Sequence, residues 1–277
     1  MSLLTVLGRL VAVDLVALVV ATLVIVGPAR LRATKRRGLD HLRAVAPYLA
    51  LLGVVLAVNS VARQVGPEVS WMVGWNITGL IYSIEGGLVA VVQSVATPTL
   101  TAYFSTIYIY GYVFLLVFPF VAYAALEDLR PLRRTAVAYS ANYVLGLACY
   151  LLFIAYGPRN LIPDLVDPLL YATYPQTQIL TGEVNTNTNV FPSLHTSLSV
   201  TVGMLAWRTR EVYPGWLVVA APLAFSVVIS TMYLGIHWGT DVVAGVLLAV
   251  GSVAIADRFV DQNRRRRPFG TVDRSSS

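Results

Sequence analysis

"GIHWGTDVVAGVLLAVGSVAIADRF", residues 235–259, decides what kind of molecule this is. From Val242 to Ala256 no residue is charged. About 20 such residues in a helix cross the ~30 Å hydrocarbon core of a bilayer. Yet the head of this run carries His237 and, four residues later, Asp241. "FPSLHTSLSV", residues 191–200, repeats the pattern with His195 where another apolar run begins. The chain has three histidines, and two of them open hydrophobic segments.

Composition agrees with a membrane solvent. Of 277 residues, 57% are hydrophobic and 12% are charged; the mean hydropathy is +0.70. Soluble domains carry about 25% charged residues. Seven stretches are apolar enough to span: 10–27, 44–62, 101–126, 135–156, 193–207, 216–235 and 238–258. The fifth is short and borrows residues on either side. Residues 76–99 are apolar too, but they hold Glu85, Gly86, Gly87, Gln93 and Pro98. They read as an interfacial or re-entrant helix. The expected fold is all-α, a polytopic membrane bundle of about six to seven transmembrane helices. Its regions are an N-terminal membrane region (1–99), a helical core with the active site (100–258) and a basic tail (259–277) expected to be disordered. The single cysteine, Cys149, excludes an intramolecular disulfide.

The arginines test this topology. With the N-terminus outside, segments 28–43, 127–134, 208–215 and 259–277, together with Arg258, hold 17 of the 20 lysines and arginines. Such a bias marks the cytoplasmic side. Arg9, Arg63 and Arg159 remain outside; an extra span at 76–99 would break the alternation. The pI near 9.5 therefore reflects topology anchors, with anionic-lipid contact secondary. No folded basic face with readout elements is visible, so no nucleic-acid partner is expected. The N-terminal apolar stretch reads as a first span rather than a cleaved signal, since no small-x-small site follows it. Nineteen arginines against one lysine hint at a prokaryotic source, hence a prokaryotic cell membrane with the C-terminus cytoplasmic.

This topology brings four polar groups to the outer face: Arg159 after the fourth span, His195 at the start of the fifth, and His237 and Asp241 at the start of the seventh. Residues four apart share a helix face, so Asp241 can bond one ring nitrogen of His237. That contact fixes the tautomer and makes the other nitrogen a better nucleophile or base. Helix N-termini favour anions, and a guanidinium suits phosphate oxygens. Such a site is built for phosphate, with one histidine to attack it and another to protonate what leaves. His41, amid the basic loop, reads as a wetted side chain, and Asp14, near an outer end, is expected to reach water. His195, His237 and Asp241 could ligate a metal, but Arg159 would repel the cation. No metal or cofactor is expected.

The quoted motifs resemble a known family. "FPSLHTS" and "GIHWGTDVVAG" are similar to the second (P-S-x-H) and third (S-R-x5-H-x3-D) motifs of the type 2 phosphatidic acid phosphatase and haloperoxidase superfamily, over roughly residues 100–258. The resemblance implies His237 as nucleophile forming a phosphohistidine, Asp241 as its orienter, His195 as general acid and Ser193 in phosphate binding. The chain also departs from the pattern. Thr231 stands where the third motif has arginine, and Leu152 and Asn160 replace the lysine and proline of the first. "YGPRNL" and His237-Trp238 instead resemble the branch related to inositol phosphorylceramide synthase, in which Arg159 would carry more of the phosphate clamp. Vanadate haloperoxidase activity is disfavoured accordingly.

The expected activity is a lipid-phosphate phosphatase or phosphotransferase at the outer membrane face. Its substrate would be phosphatidic acid, a polyprenyl diphosphate or a phosphoinositol-type lipid. Transfer to or from inositol or another polyol is the alternative, and a non-catalytic lipid-binding or transport protein the third reading. The outer segments 63–100 and 160–190, with Glu85, Tyr171 and Asn189, are where a headgroup or acceptor could be recognised; interfacial aromatics and loop turns are their plainer reading.

Overall fold

The computed structural model describes residues 3–174 and 190–265. Nine helices organise them: α1 (Leu3–Ala21), α2 (Pro28–Val73), α3 (Thr78–Glu85), α4 (Leu88–Gln93), α5 (Pro98–Ala124), α6 (Arg130–Leu152), α7 (Leu194–Arg208), α8 (Pro214–Tyr233) and α9 (Gly239–Arg265). Single helical turns occupy Pro158–Leu161 and Leu169–Thr173. The only strands among the described residues are β1 (Trp75–Asn76) and β2 (Phe153–Ile154), paired in parallel. Proline opens α2, α5, α6 and α8, where its missing N–H costs nothing. The protein is an all-α polytopic membrane bundle.

Among the described residues, six helices are long and apolar enough to cross a membrane, beginning with Leu7–Val26 and ending with Gly239–Gln262. Their flanks carry apolar side chains that water would not tolerate, such as Val16 and Val24, 63% and 78% exposed; in lipid such a surface is the natural one. The expected fifth span is the exception. Helix α7 has 15 residues, about 22 Å at 1.5 Å per residue, shorter than the ~30 Å core. It need not match the lipid because it lies inside the bundle, packed against α5, α6, α8 and α9. That position also explains its buried polar residues. Asn142 of α6 donates to Thr201 (3.1 Å) and accepts from Ser197, and all three are fully buried.

Residues 76–99 form no single helix. A break at Gly86, with φ +52°, and Gly87 divides them into α3 and α4, of eight and six residues. Neither is long enough to span. Asp14 differs from its expected place: it is 5% exposed, with one carboxylate oxygen lacking a hydrogen-bond partner. Helix α1, which bears it, packs against α5.

The two ends of the bundle are held differently. At the basic end, Asp257 of α9 forms ion pairs with Arg134 of α6 (3.2 Å) and Arg208 of α7 (2.6 Å), and Asp261 accepts Arg134 (2.9 Å). Some of the positive charge counted as topology anchor therefore also locks three helices together. Helix α9 continues past position 258 to Arg265; residues 266–277 lie outside the described residues. At the other end, β1 and β2 tie the top of α2 to the top of α6, and Ile77 N–H adds a bond to Ile154 O at 2.9 Å. The core between the ends is apolar and close-packed, with Leu115, Phe118, Leu198, Val202 and Trp216 fully buried.

Candidate functional site

The end of α8 and the start of α9 are joined by five residues, Leu234–Trp238. The turn closes when the backbone N–H groups of Ile236 and His237 both donate to Thr231 O, at 3.1 and 3.0 Å. His237 is thereby held in a buried loop. Its Nδ1 lies 3.4 Å from Asp241 Oδ2, a long contact, and the same oxygen accepts the Trp238 N–H at 2.9 Å. Asp241 is itself fully buried. With Nδ1 turned to the carboxylate, Nε2 is the ring's other nitrogen.

Helix α7 starts beside it. The Ser193 N–H donates to Asp241 O (3.0 Å), and the Ser193 hydroxyl oxygen caps the helix by accepting the Thr196 N–H (3.3 Å). The hydroxyl proton of Ser193 is not used by that cap and can still be donated. This approach of two helices requires Gly245. A Cβ there would stand 2.6 Å from Ser193 O. The ring of His195, in the first turn of α7, lies 6.4 Å from that of His237, centroid to centroid.

His195 packs against two tyrosines that the sequence motifs do not announce. Tyr108 stacks on it at 4.4 Å, and Tyr112 lies tilted against it at 4.3 Å. Both come from α5, where Ile107–Gly111 is a π-helical turn closed by the Tyr112 N–H donating to Ile107 O. π-turns are frequent at functional sites because they re-aim side chains. The tyrosine-rich run "YFSTIYIYGY" (103–112) was the available signal. A third tyrosine, Tyr150 of α6, donates from its hydroxyl to Pro192 O at 3.2 Å.

Arg159 arrives on the loop after β2. Its backbone N–H donates to Gly235 O (3.2 Å), two residues before His237. Its Nη2 donates to the Tyr171 hydroxyl (3.0 Å), and its guanidinium carbon lies 4.7 Å from that ring's centre. Nη1 is buried without a hydrogen-bond partner. A buried unsatisfied guanidinium donor is unusual and calls for an acceptor. Trp238 helps set this loop, since its fully buried indole donates Nε1–H to Tyr156 O at 2.8 Å. Burial pushes the His237 ring down to about 3 from its ordinary 6.5; the Val190 backbone hydrogen bond opposes this, and the Arg159 charge reinforces it. The ring is neutral near pH 7.

Glu85 takes a different place from the headgroup contact expected of it. Its carboxylate accepts the N–H groups of Gly239 (2.8 Å) and Thr240, the first turn of α9. With Trp238 N–H held by Asp241, these donors are engaged by protein carboxylates, so the α9 N-terminus does not present them to an anion. Gln93 of α4 makes a further clamp, donating to Asp167 O and Tyr233 O (2.9 Å each) and accepting from Asp167 N–H (2.8 Å). Tyr171 belongs to the site as the partner of Arg159. Asn189 lies outside the described residues.

Comparisons with known proteins bear on the same residues. Over 81 residues the chain is 38% identical to the "Bacitracin transport permease protein BcrC" of Bacillus licheniformis. That match covers 29% of this chain and 37% of the length of BcrC. No solved structure matches the chain significantly. A family model described as the PAP2 superfamily matches residues 80–255, a region that contains Glu85, Arg159, Ser193, His195, His237 and Asp241. With more than half its length inside that match, and with the rings of His195 and His237 6.4 Å apart at one end of a membrane bundle, the chain belongs to the PAP2 superfamily.

Proposed function

We propose that this protein is an integral-membrane lipid-phosphate phosphatase that works through a phosphohistidine. The observation that carries the reading is the 6.4 Å separation of the His195 and His237 rings. A reacting phosphorus needs its nucleophile at about 3–3.5 Å, and a phosphoryl group placed between two rings so spaced can meet both. Arg159, with its buried unpartnered Nη1, supplies a donor for the phosphate oxygens.

In the first step His237 Nε2 attacks phosphorus and the bond to the leaving oxygen breaks. His195 gives that oxygen its proton, and the lipid alcohol or lipid phosphate departs. Asp241 stabilises the charge that the His237 ring acquires, as a buried carboxylate does beside an imidazolium. In the second step water attacks the phosphohistidine, His195 takes the water's proton, and the N–P bond breaks. Orthophosphate leaves and both rings are regenerated. A polyol hydroxyl in place of water would take the phosphoryl group as the N–P bond breaks and give a polyol phosphate monoester, the transferase alternative. The arginine distribution supports a site at the outer face.

The test is phosphate release from phosphatidic acid and from a polyprenyl diphosphate by the purified protein, with His237→Ala beside it. The wild type should release phosphate and the variant should not. Equal inertness of the two on every lipid phosphate, and in exchange with added inositol, would overturn catalysis in favour of a lipid-binding or transport role. An inositol phosphate formed in the presence of inositol would identify the transferase.

A further inference from the structure

Arg63 lies on α2, ten residues before its end and outside the 80–255 family match. Here the side chain is held in place. Its Nε donates to Asn59 Oδ1 at 2.9 Å, and Asn59 Nδ2 donates to Tyr143 O at 3.3 Å. Its guanidinium carbon lies 5.6 Å from the ring centre of Tyr150. The Tyr150 hydroxyl in turn bonds Pro192 O, at the entrance to α7 and three residues from His195.

Arg159 and Arg63 thus approach the histidine pair through different contacts: the Arg159 N–H bonds Gly235 O, two residues before His237, and Arg63 lies beside Tyr150, whose hydroxyl bonds Pro192 O. The balance of charge asks for this second cation. Glu85 and Asp241 already bring two carboxylates to the head of α9, against one guanidinium from Arg159. A phosphate dianion bound there would meet a site already formally negative, in surroundings where charges are weakly screened.

From this geometry we infer that Arg63 is a second phosphate-binding cation of the site, reaching the bound phosphate from the His195 side across Tyr150. The inference rests on the proposed reading of the site as a phosphate pocket. It assigns part of the binding machinery to the N-terminal region that the family match does not cover.

Orthophosphate binding to the purified protein, measured by calorimetry, tests this without turnover, and KM for phosphatidic acid adds a second readout. A hydrogen bond to a charged group is worth about one to two powers of ten in affinity. Arg63→Gln should weaken orthophosphate binding and raise KM by about ten- to a hundredfold, while thermal unfolding shows the protein folded. Arg63→Lys, which keeps the charge but not the planar fork, should recover part of the loss. Unchanged phosphate affinity in folded Arg63→Gln would overturn the inference, as would a wild type that binds no orthophosphate. Should Arg63→Gln fail to fold, unchanged affinity in Arg63→Lys overturns it equally. His237→Ala keeps the two questions apart. Turnover that persists in it defeats the catalytic reading, while its phosphate affinity, with and without Arg63, still decides the role of the arginine.

Discussion

His237 illustrates how burial sets chemistry at a single residue. A ring pushed down to about 3 stays neutral, and able to attack, well below pH 6.5. The acid limb of kcat/KM that belongs to this residue is therefore expected below 6.5 in a pH–rate profile; a limb at or above 6.5 would mean a solvated ring. The same shift bears on stability. As pH falls below 6.5, the unfolded chain protonates His237 and the folded one does not, so its contribution to stability declines from 6.5 toward 3. His195→Ala should lower kcat by about 10²–10⁴, the usual worth of a positioned general acid. An effect under tenfold would remove His195 from that role. Both histidines sit where a short, local spacing could be read, four residues ahead of Asp241 or three behind a proline. Tyr108 and Tyr112 could not be assigned that way. Their stacking depends on where α5 lies against α7.

Helices place these residues through a few close contacts. Glu85 caps the first turn of α9 immediately after the His237-Trp238 pair. Glu85→Gln removes the charge that complements the helix N-terminus, at a cost of about 0.5–2 kcal/mol. Thermal unfolding in detergent should register that loss, together with a fall in kcat and little change in KM, because Glu85 positions the loop and does not hold the substrate. Gly245→Ala puts a methyl group 2.6 Å from Ser193 O, against backbone that cannot yield cheaply. Overpacking of this kind costs about 1–3 kcal/mol and would push α7 away from α9. Activity should drop further than stability, since the gap between His195 and His237 widens. Wild-type activity in Gly245→Ala would mean the two helices are free to part.

At the scale of the whole molecule, the proposal orients the bundle. With Cys149 replaced by serine, a cysteine at exposed Asp164 should react with a membrane-impermeant maleimide on intact cells. One at exposed Glu211, beyond α7 at the basic end, should react only after permeabilisation. The reverse pattern would place the site in the cytoplasm. The same scale explains a helix that reads as a span and is not one. Helix α7 can be 15 residues long and rich in serine and threonine because other helices, not lipid, surround it.

What the chain's order of residues determined alone was the solvent and the meeting place. Apolar run length and the bunching of arginine are local quantities, and they were enough to read a helical membrane bundle with His195, His237, Asp241 and Arg159 at one end. Tertiary structure alone decided which donors remain for an anion. Glu85 reaches Gly239 across 154 positions and Asn142 reaches Thr201 across 59. Arg63 enters from a helix with no motif. Contacts between distant segments leave no spacing to recognise, because they depend on helix packing rather than on neighbours along the chain.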